Sequence, residues 1–124
     1  MKRPENYQII AWQRLEGLML AAFALYAYTN GRGSWPMFAI LILAPDIFML
    51  GYLTGSRVGA FCYNAAHSLV FPLLLLLIGS QTGEIVIWQI GLIWMAHIGF
   101  DRLFGYGLKF NDGFKHTHLG RIGK

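Results

Sequence analysis

The sequence predicts an all-α fold, a four-helix integral membrane bundle. Three observations predict it. The 124-residue chain is 56% hydrophobic and only 13% charged, against about 25% charged in ordinary soluble domains. Four apolar stretches each approach the roughly 20 residues that a spanning helix needs. Short Gly- and Ser-containing turns, "TNGRGS", "GSR" and "GSQTGE", separate them, as expected between antiparallel neighbours. The length fits one domain over residues 1–124.

The first span is expected at about 9–28, with "GLMLAAFALYAY" as its apolar part. Arg14 and Glu16 interrupt it and no small-x-small cleavage site follows, so it reads as a span and not as a leader. The second is expected at about 35–54, "WPMFAILILAPDIFMLGYLT". Pro45 within it lacks a backbone donor, which frees a carbonyl and bends the helix. The third is expected at about 58–78, where "LVFPLLLLLI" is apolar all round and suits lipid. The fourth is expected at about 85–104, and residues 105–124 form a polar, glycine-rich tail. Gly17, Gly51, Gly59, Gly91 and Gly99 allow close helix approach. Cys62 is the only cysteine, which excludes an internal disulfide, and its apolar surroundings make it a buried packing residue and not a reactive thiol.

The basic residues set the orientation. With four spans both termini share one side, and on it fall Lys2, Arg3, Arg14, Arg57, Arg102, Lys109, Lys115, Arg121 and Lys124. Only Arg32 falls on the other. This positive-inside bias puts both termini in the cytoplasm, in a multi-pass protein of the inner (cell) membrane. Trp35 and Trp88 then mark the outer interface and Trp12 the inner one. The net charge of +4 is accounted for by topology and anionic lipid. The basic residues form no long patch, which argues against nucleic acid as a partner. The bilayer is the expected partner, with a homo-oligomer as a further one.

Polar residues gather at one depth. Counting about 1.5 Å per residue from each cytoplasmic end, Glu16 lies roughly 9 Å in, Asp46 13 Å, Asn64 10 Å, His67 15 Å, His97 12 Å and Asp101 6 Å. The outer halves of the spans lack such groups. His97 and Asp101 are i and i+4, and Asn64 and His67 i and i+3, so each pair shares a helix face. Tyr63 lies alongside Asn64. Ionisable side chains at this depth cost several kcal/mol unless they face a partner or water, so these groups are expected to point at one another.

Three chemistries follow. His67, His97, Asp101 and Asp46 are candidate catalytic residues, and with Glu16 they form a candidate ligand set for a divalent metal such as zinc, iron or manganese. The set resembles in kind the carboxylate-bridged bundle sites, without their paired Glu-x-x-His motif. Arg14, Asn64, Arg102 and Lys109 are supporting polar positions. The leading expectation is a small metal-binding membrane enzyme acting on a lipid-soluble or membrane-surface substrate. The alternatives are a proton- or cation-coupled transporter acting as an oligomer, and a non-catalytic membrane subunit. Interhelical polar glue returns only about 0.6 kcal/mol per bond, little for so many costly groups. In the tail, Lys109, Lys115 and Arg121 are expected against the anionic inner leaflet, or at a substrate phosphate. His116-x-His118 alone is weak support for a second metal site.

The segments "RLEGL" (14–18), "APDIFMLGYL" (44–53), "GAFCYNAAHS" (59–68), "WMAHIGFDRLFGYGLKF" (94–110) and "GFKHTHLGRIG" (113–123) resemble a bacterial membrane family numbered 4260 among the domains of unknown function. The resemblance spans all four expected helices and the tail. It implies an integral membrane protein and carries no activity with it. It also implies that His116, where relatives often have an acidic residue, is not an essential ligand.

Overall fold

A computed structural model describes residues 7–106 and 108, and the backbone of residues 116–117 and 120–121. Four helical stretches follow one another. The first is α1 (Tyr7–Asn30). The second comprises α2 (Trp35–Leu41) and a 3-10 helix (Ala44–Thr54). The third comprises α3 (Ser56–His67) and α4 (Val70–Thr82), and the fourth is α5 (Ile85–Leu103). Beyond them, β1 (His116–Thr117) and β2 (Gly120–Arg121) form a two-residue antiparallel pair. The fold is otherwise all-helical among the described residues.

Local signals set the helix ends. Ser34 caps α2, its Oγ accepting from the Met37 N–H at 3.3 Å, and Pro36 follows where its missing donor costs nothing. Gly83 ends α4 in the left-handed region at φ +76°, the conformation that glycine adopts without a Cβ penalty.

Two prolines explain the interruptions. The second stretch is divided at Ile42–Leu43, and Pro45 cannot donate to the carbonyl of Leu41. The Asp46 N–H bonds back to Leu43 O at 3.0 Å, the tighter 3-10 pattern, and leaves Ile42 O unclaimed by the ladder. The third stretch, expected as one continuous helix, is divided at Ser68–Leu69. Pro72 is the cause: it lacks the donor for Ser68 O, and its ring crowds that carbonyl. The apolar run around Pro72 therefore forms a separate helix.

α5 lies at the centre. It packs lengthwise against α1 and α4 and touches α2, while α3 packs on the 3-10 helix. The α1–α5 contact is backbone to backbone. A Cβ on Gly17 would sit 2.7 Å from Gly99 O and from Leu103 N, and one on Gly99 would sit 2.6 Å from the Ala21 N. At the other end, Gln89 Nε2 donates to Gly31 O at 3.3 Å. The start of α5 therefore meets the end of α1, and the two run antiparallel.

The packing is inverted relative to a water-soluble domain. The interior holds small residues (Ala21, Ala24, Ala60, Ala66, Ala96) around Tyr28, Leu92 and Ile93, together with buried His67, Gln89 and His97. Large apolar side chains point outward: Ile40 and Phe61 are each 75% exposed and Leu53 83%. Exposed apolar surface on that scale suits an apolar solvent. Residues 7–30, 35–54 and 56–82 are long and apolar enough to cross a membrane. α5 does not reach that apolar average, because Gln89, His97, Asp101 and Arg102 dilute it; nine of its residues are buried by its neighbours. Cys62 is half-buried, against Gly51.

Candidate metal centre

The centre forms where the two interrupted stretches meet the middle of α5. Asp46 comes from the first turn of the 3-10 helix, His67 ends α3, and His97 and Asp101 lie one turn apart on α5. One ligand atom from each of these four residues lies within 4.8 Å of the others. His67 Nε2 is 3.1 Å from Asp46 Oδ1, 3.1 Å from His97 Nε2 and 3.3 Å from Asp101 Oδ2. His97 Nε2 is 3.1 Å from Asp46 Oδ1 and 3.1 Å from Asp101 Oδ2. The imidazoles are buried, whereas the side chain of Asp101 is 19% exposed and that of Asp46 33%.

The backbone fixes the state of both rings. His67 Nδ1 lies 2.8 Å from Tyr63 O and His97 Nδ1 2.5 Å from Ile42 O. A carbonyl oxygen only accepts, so each Nδ1 carries the hydrogen and donates. In the neutral ring each Nε2 then presents a bare lone pair. With neutral rings, two lone pairs and two carboxylate oxygens therefore converge on one small volume, an arrangement of four acceptors that repel one another unless a metal ion or a proton joins them. Tyr63 holds His67 further, its ring stacked at 3.8 Å and 8°.

Two carbonyls that α5 engages beside this centre lie at the helix breaks. Ile42 O, released at the Pro45 break, takes the His97 hydrogen. Ala66 O lies in the last turn of α3, just before the Pro72 break, and accepts from Trp94 Nε1 at 2.5 Å. Trp94 and His97 are three residues apart on one face of α5. That helix thus pins both interruptions with two adjacent side chains.

The sequence profile of a family described as "Domain of unknown function (DUF4260)" matches residues 10–122. The chain belongs to the DUF4260 family. The match includes all four clustered residues, in agreement with the resemblance carried by the quoted segments. No curated protein and no solved structure matches the chain.

The other candidate residues of this DUF4260 chain lie elsewhere. Glu16, considered with the ligands, is outside the four-residue cluster and lines a groove with Arg102. The cause is helical phase: Gly17 is pressed on α5, so its neighbour Glu16 is turned away by about 100°. Arg14 Nε donates to Leu103 O at 2.7 Å, a cation satisfying the end of a helix. Asn64 is half-buried on α3 beside Tyr63. Lys109, Lys115 and His118 lie outside the described residues, as do the side chains of His116 and Arg121. Trp94 carries no titratable group, so depth counting passed over it; its i, i+3 spacing to His97 was the available signal.

Proposed function

We propose that this DUF4260 protein is a multi-pass membrane protein that binds one divalent transition-metal ion through Asp46, His67, His97 and Asp101. The observation that carries the reading is the convergence of four acceptors with both Nδ1 atoms already committed to carbonyls. Five of the six separations among the four donor atoms are 3.1–3.3 Å and the sixth, Asp46 to Asp101, is within 4.8 Å, so the donors surround one volume on the scale of a bound first-row ion, whose zinc–nitrogen and zinc–oxygen distances are about 2.0–2.2 Å. Charge agrees: two carboxylates and two neutral imidazoles sum to −2, which a divalent ion cancels in a low-dielectric setting. Imidazole donors disfavour magnesium and calcium, which take oxygen ligands. Iron and manganese accept the same donors with added water, and a set of four protein donors of this kind favours zinc.

The membrane reading is supported by the outward-facing apolar side chains and by the three helical stretches of spanning length. α5 is then the fourth span, shielded from lipid by α1 and α4, and both termini are cytoplasmic. The two imidazoles of the centre are buried, and Ile42, Ser68 and Leu69 at its two breaks are half-buried while Leu43 faces outward; non-helical backbone is tolerated in a bilayer where protein covers it.

In the enzyme reading, His67, His97 and Asp101 would hold the ion and the partly exposed Asp46 would be the donor that yields the open position that catalytic zinc requires. An apolar cavity of about 170 Å³ beside Pro45 and Trp94 suits a lipid-soluble substrate. Cation transport is the second reading, and the two helix interruptions favour it, since interrupted helices build ion sites in transporters. Cobalt(II) titration into metal-stripped protein tests the shared premise. Intense visible bands of four-coordinate cobalt, lost in His67→Ala, are expected; an octahedral spectrum unchanged by that substitution contradicts the assignment. Ion flux in proteoliposomes separates transport from catalysis.

A further inference from the structure

On the far side of α5 from the metal centre runs a groove of about 740 Å³. Its walls are mostly apolar and include Met19 and Phe23 of α1 and Met95 of α5. Two charges of opposite sign, Glu16 and Arg102, line it together with Trp12. Both charges lie toward the start of α1 and the end of α5, the ends that the positive-inside bias assigns to the cytoplasm. Met19, Phe23 and Met95 continue the groove toward the bilayer centre. Among the described residues neither charge has an ion-pair partner within 4.0 Å, and they do not pair with each other at that distance. Glu16 acts on Arg102 electrostatically from beyond contact distance, and a cation and an anion held apart at the mouth of an apolar groove match a zwitterionic headgroup above an acyl chain. Arg102 suits a phosphate, which guanidinium grips through two parallel hydrogen bonds, and Glu16 suits a primary ammonium. Trp12 lies at the same level, where indoles anchor to the interface.

We propose that this groove is a binding site for one cytoplasmic-leaflet phospholipid with an amine-bearing zwitterionic headgroup, its phosphate on Arg102, its ammonium on Glu16 and one chain along Met19, Phe23 and Met95. The site rests on the membrane reading and is independent of the metal. Purified full-length protein is equilibrated in mixed micelles with equal phosphatidylethanolamine and phosphatidylglycerol, and retained lipid is read by native mass spectrometry. The wild-type chain retains phosphatidylethanolamine over phosphatidylglycerol by roughly fivefold, the scale of one well-formed surface ion pair. Glu16→Gln abolishes that preference, and Arg102→Gln lowers retention of both lipids. Equal or greater retention of phosphatidylglycerol by the wild-type chain overturns the proposal and needs no variant. So does an unchanged preference in both variants, with helix content by circular dichroism as the check that they have folded. A chain recovered from the soluble fraction without detergent contradicts the membrane reading itself, and the lipid site with it.

Discussion

His97 reaches two structures at once. Its Nδ1 is tied to Ile42 O, and its Nε2 lies within 3.1 Å of ligand atoms from His67, Asp46 and Asp101. His97→Ala therefore removes one metal donor and orphans one carbonyl. The expected outcome is complete loss of the cobalt spectrum, with destabilisation of about 1–3 kcal/mol from the buried unpaired acceptor, at unchanged helix content by circular dichroism. Retained metal at wild-type affinity contradicts the assigned role. Gly99 tests packing alone. A side chain there meets the backbone of α1 at 2.6–2.7 Å, so Gly99→Leu is expected to cost about 3 kcal/mol or more by overpacking, read as a lowered midpoint of thermal unfolding in detergent. At this scale the four clustered residues were legible in the sequence as candidates: one pair by i, i+4 spacing, the others by depth along separate helices. Depth carries no azimuth, however. Glu16 shares the layer but faces away from it, because the direction of α1 is set by the contact of Gly17 with Gly99 across the bundle.

The two interrupted stretches depend on Pro45 and Pro72 for the carbonyls and the chain direction that α5 engages. Pro45→Ala returns a donor to the second stretch and favours a continuous helix, in which the Asp46 N–H turns back to Ile42 O and competes with His97. Trp94→Phe keeps the ring and deletes the N–H that meets Ala66 O. Both changes act on groups that orient ligands, and each is expected to weaken metal affinity by about 10–100-fold while the chain remains folded. Competition titration against a chelator of known affinity measures this; an effect below twofold in both variants leaves the breaks without a role in the centre. The bend at Pro45 was legible because it stands beside a carboxylate in an otherwise regular span. The break at Pro72 was hidden by nine flanking apolar residues that read as lipid-facing helix whether or not the helix is continuous. Hydropathy reports the solvent of a segment and is blind to where its hydrogen-bond ladder fails.

For the whole chain, small residues pack inside, large apolar side chains face out, and a polar centre sits at the meeting point of three of the four stretches. Composition alone made that inversion legible, since 13% charged residues cannot cover a domain of this size with a polar shell. The count of spans is less direct. α5 carries half of the candidate metal centre, and its polar residues lower its hydropathy below that of the other stretches, so its membership rests on its neighbours. If α5 crosses the membrane, reporter fusions at Lys2 and Lys124 both give cytoplasmic signals; an external signal at Lys124 with a cytoplasmic one at Lys2 makes the span count odd and removes α5 from it. The metal content of the wild-type protein bears most directly on the central claim. Purified in detergent without chelator, loaded with zinc and freed of excess ion, the chain is predicted to hold about one zinc ion, as a closed four-ligand site does, and the His67→Ala/His97→Ala double variant none. Wild-type protein that emerges folded and metal-free from that treatment, or a double variant that binds as much zinc, would contradict a metal centre at Asp46, His67, His97 and Asp101.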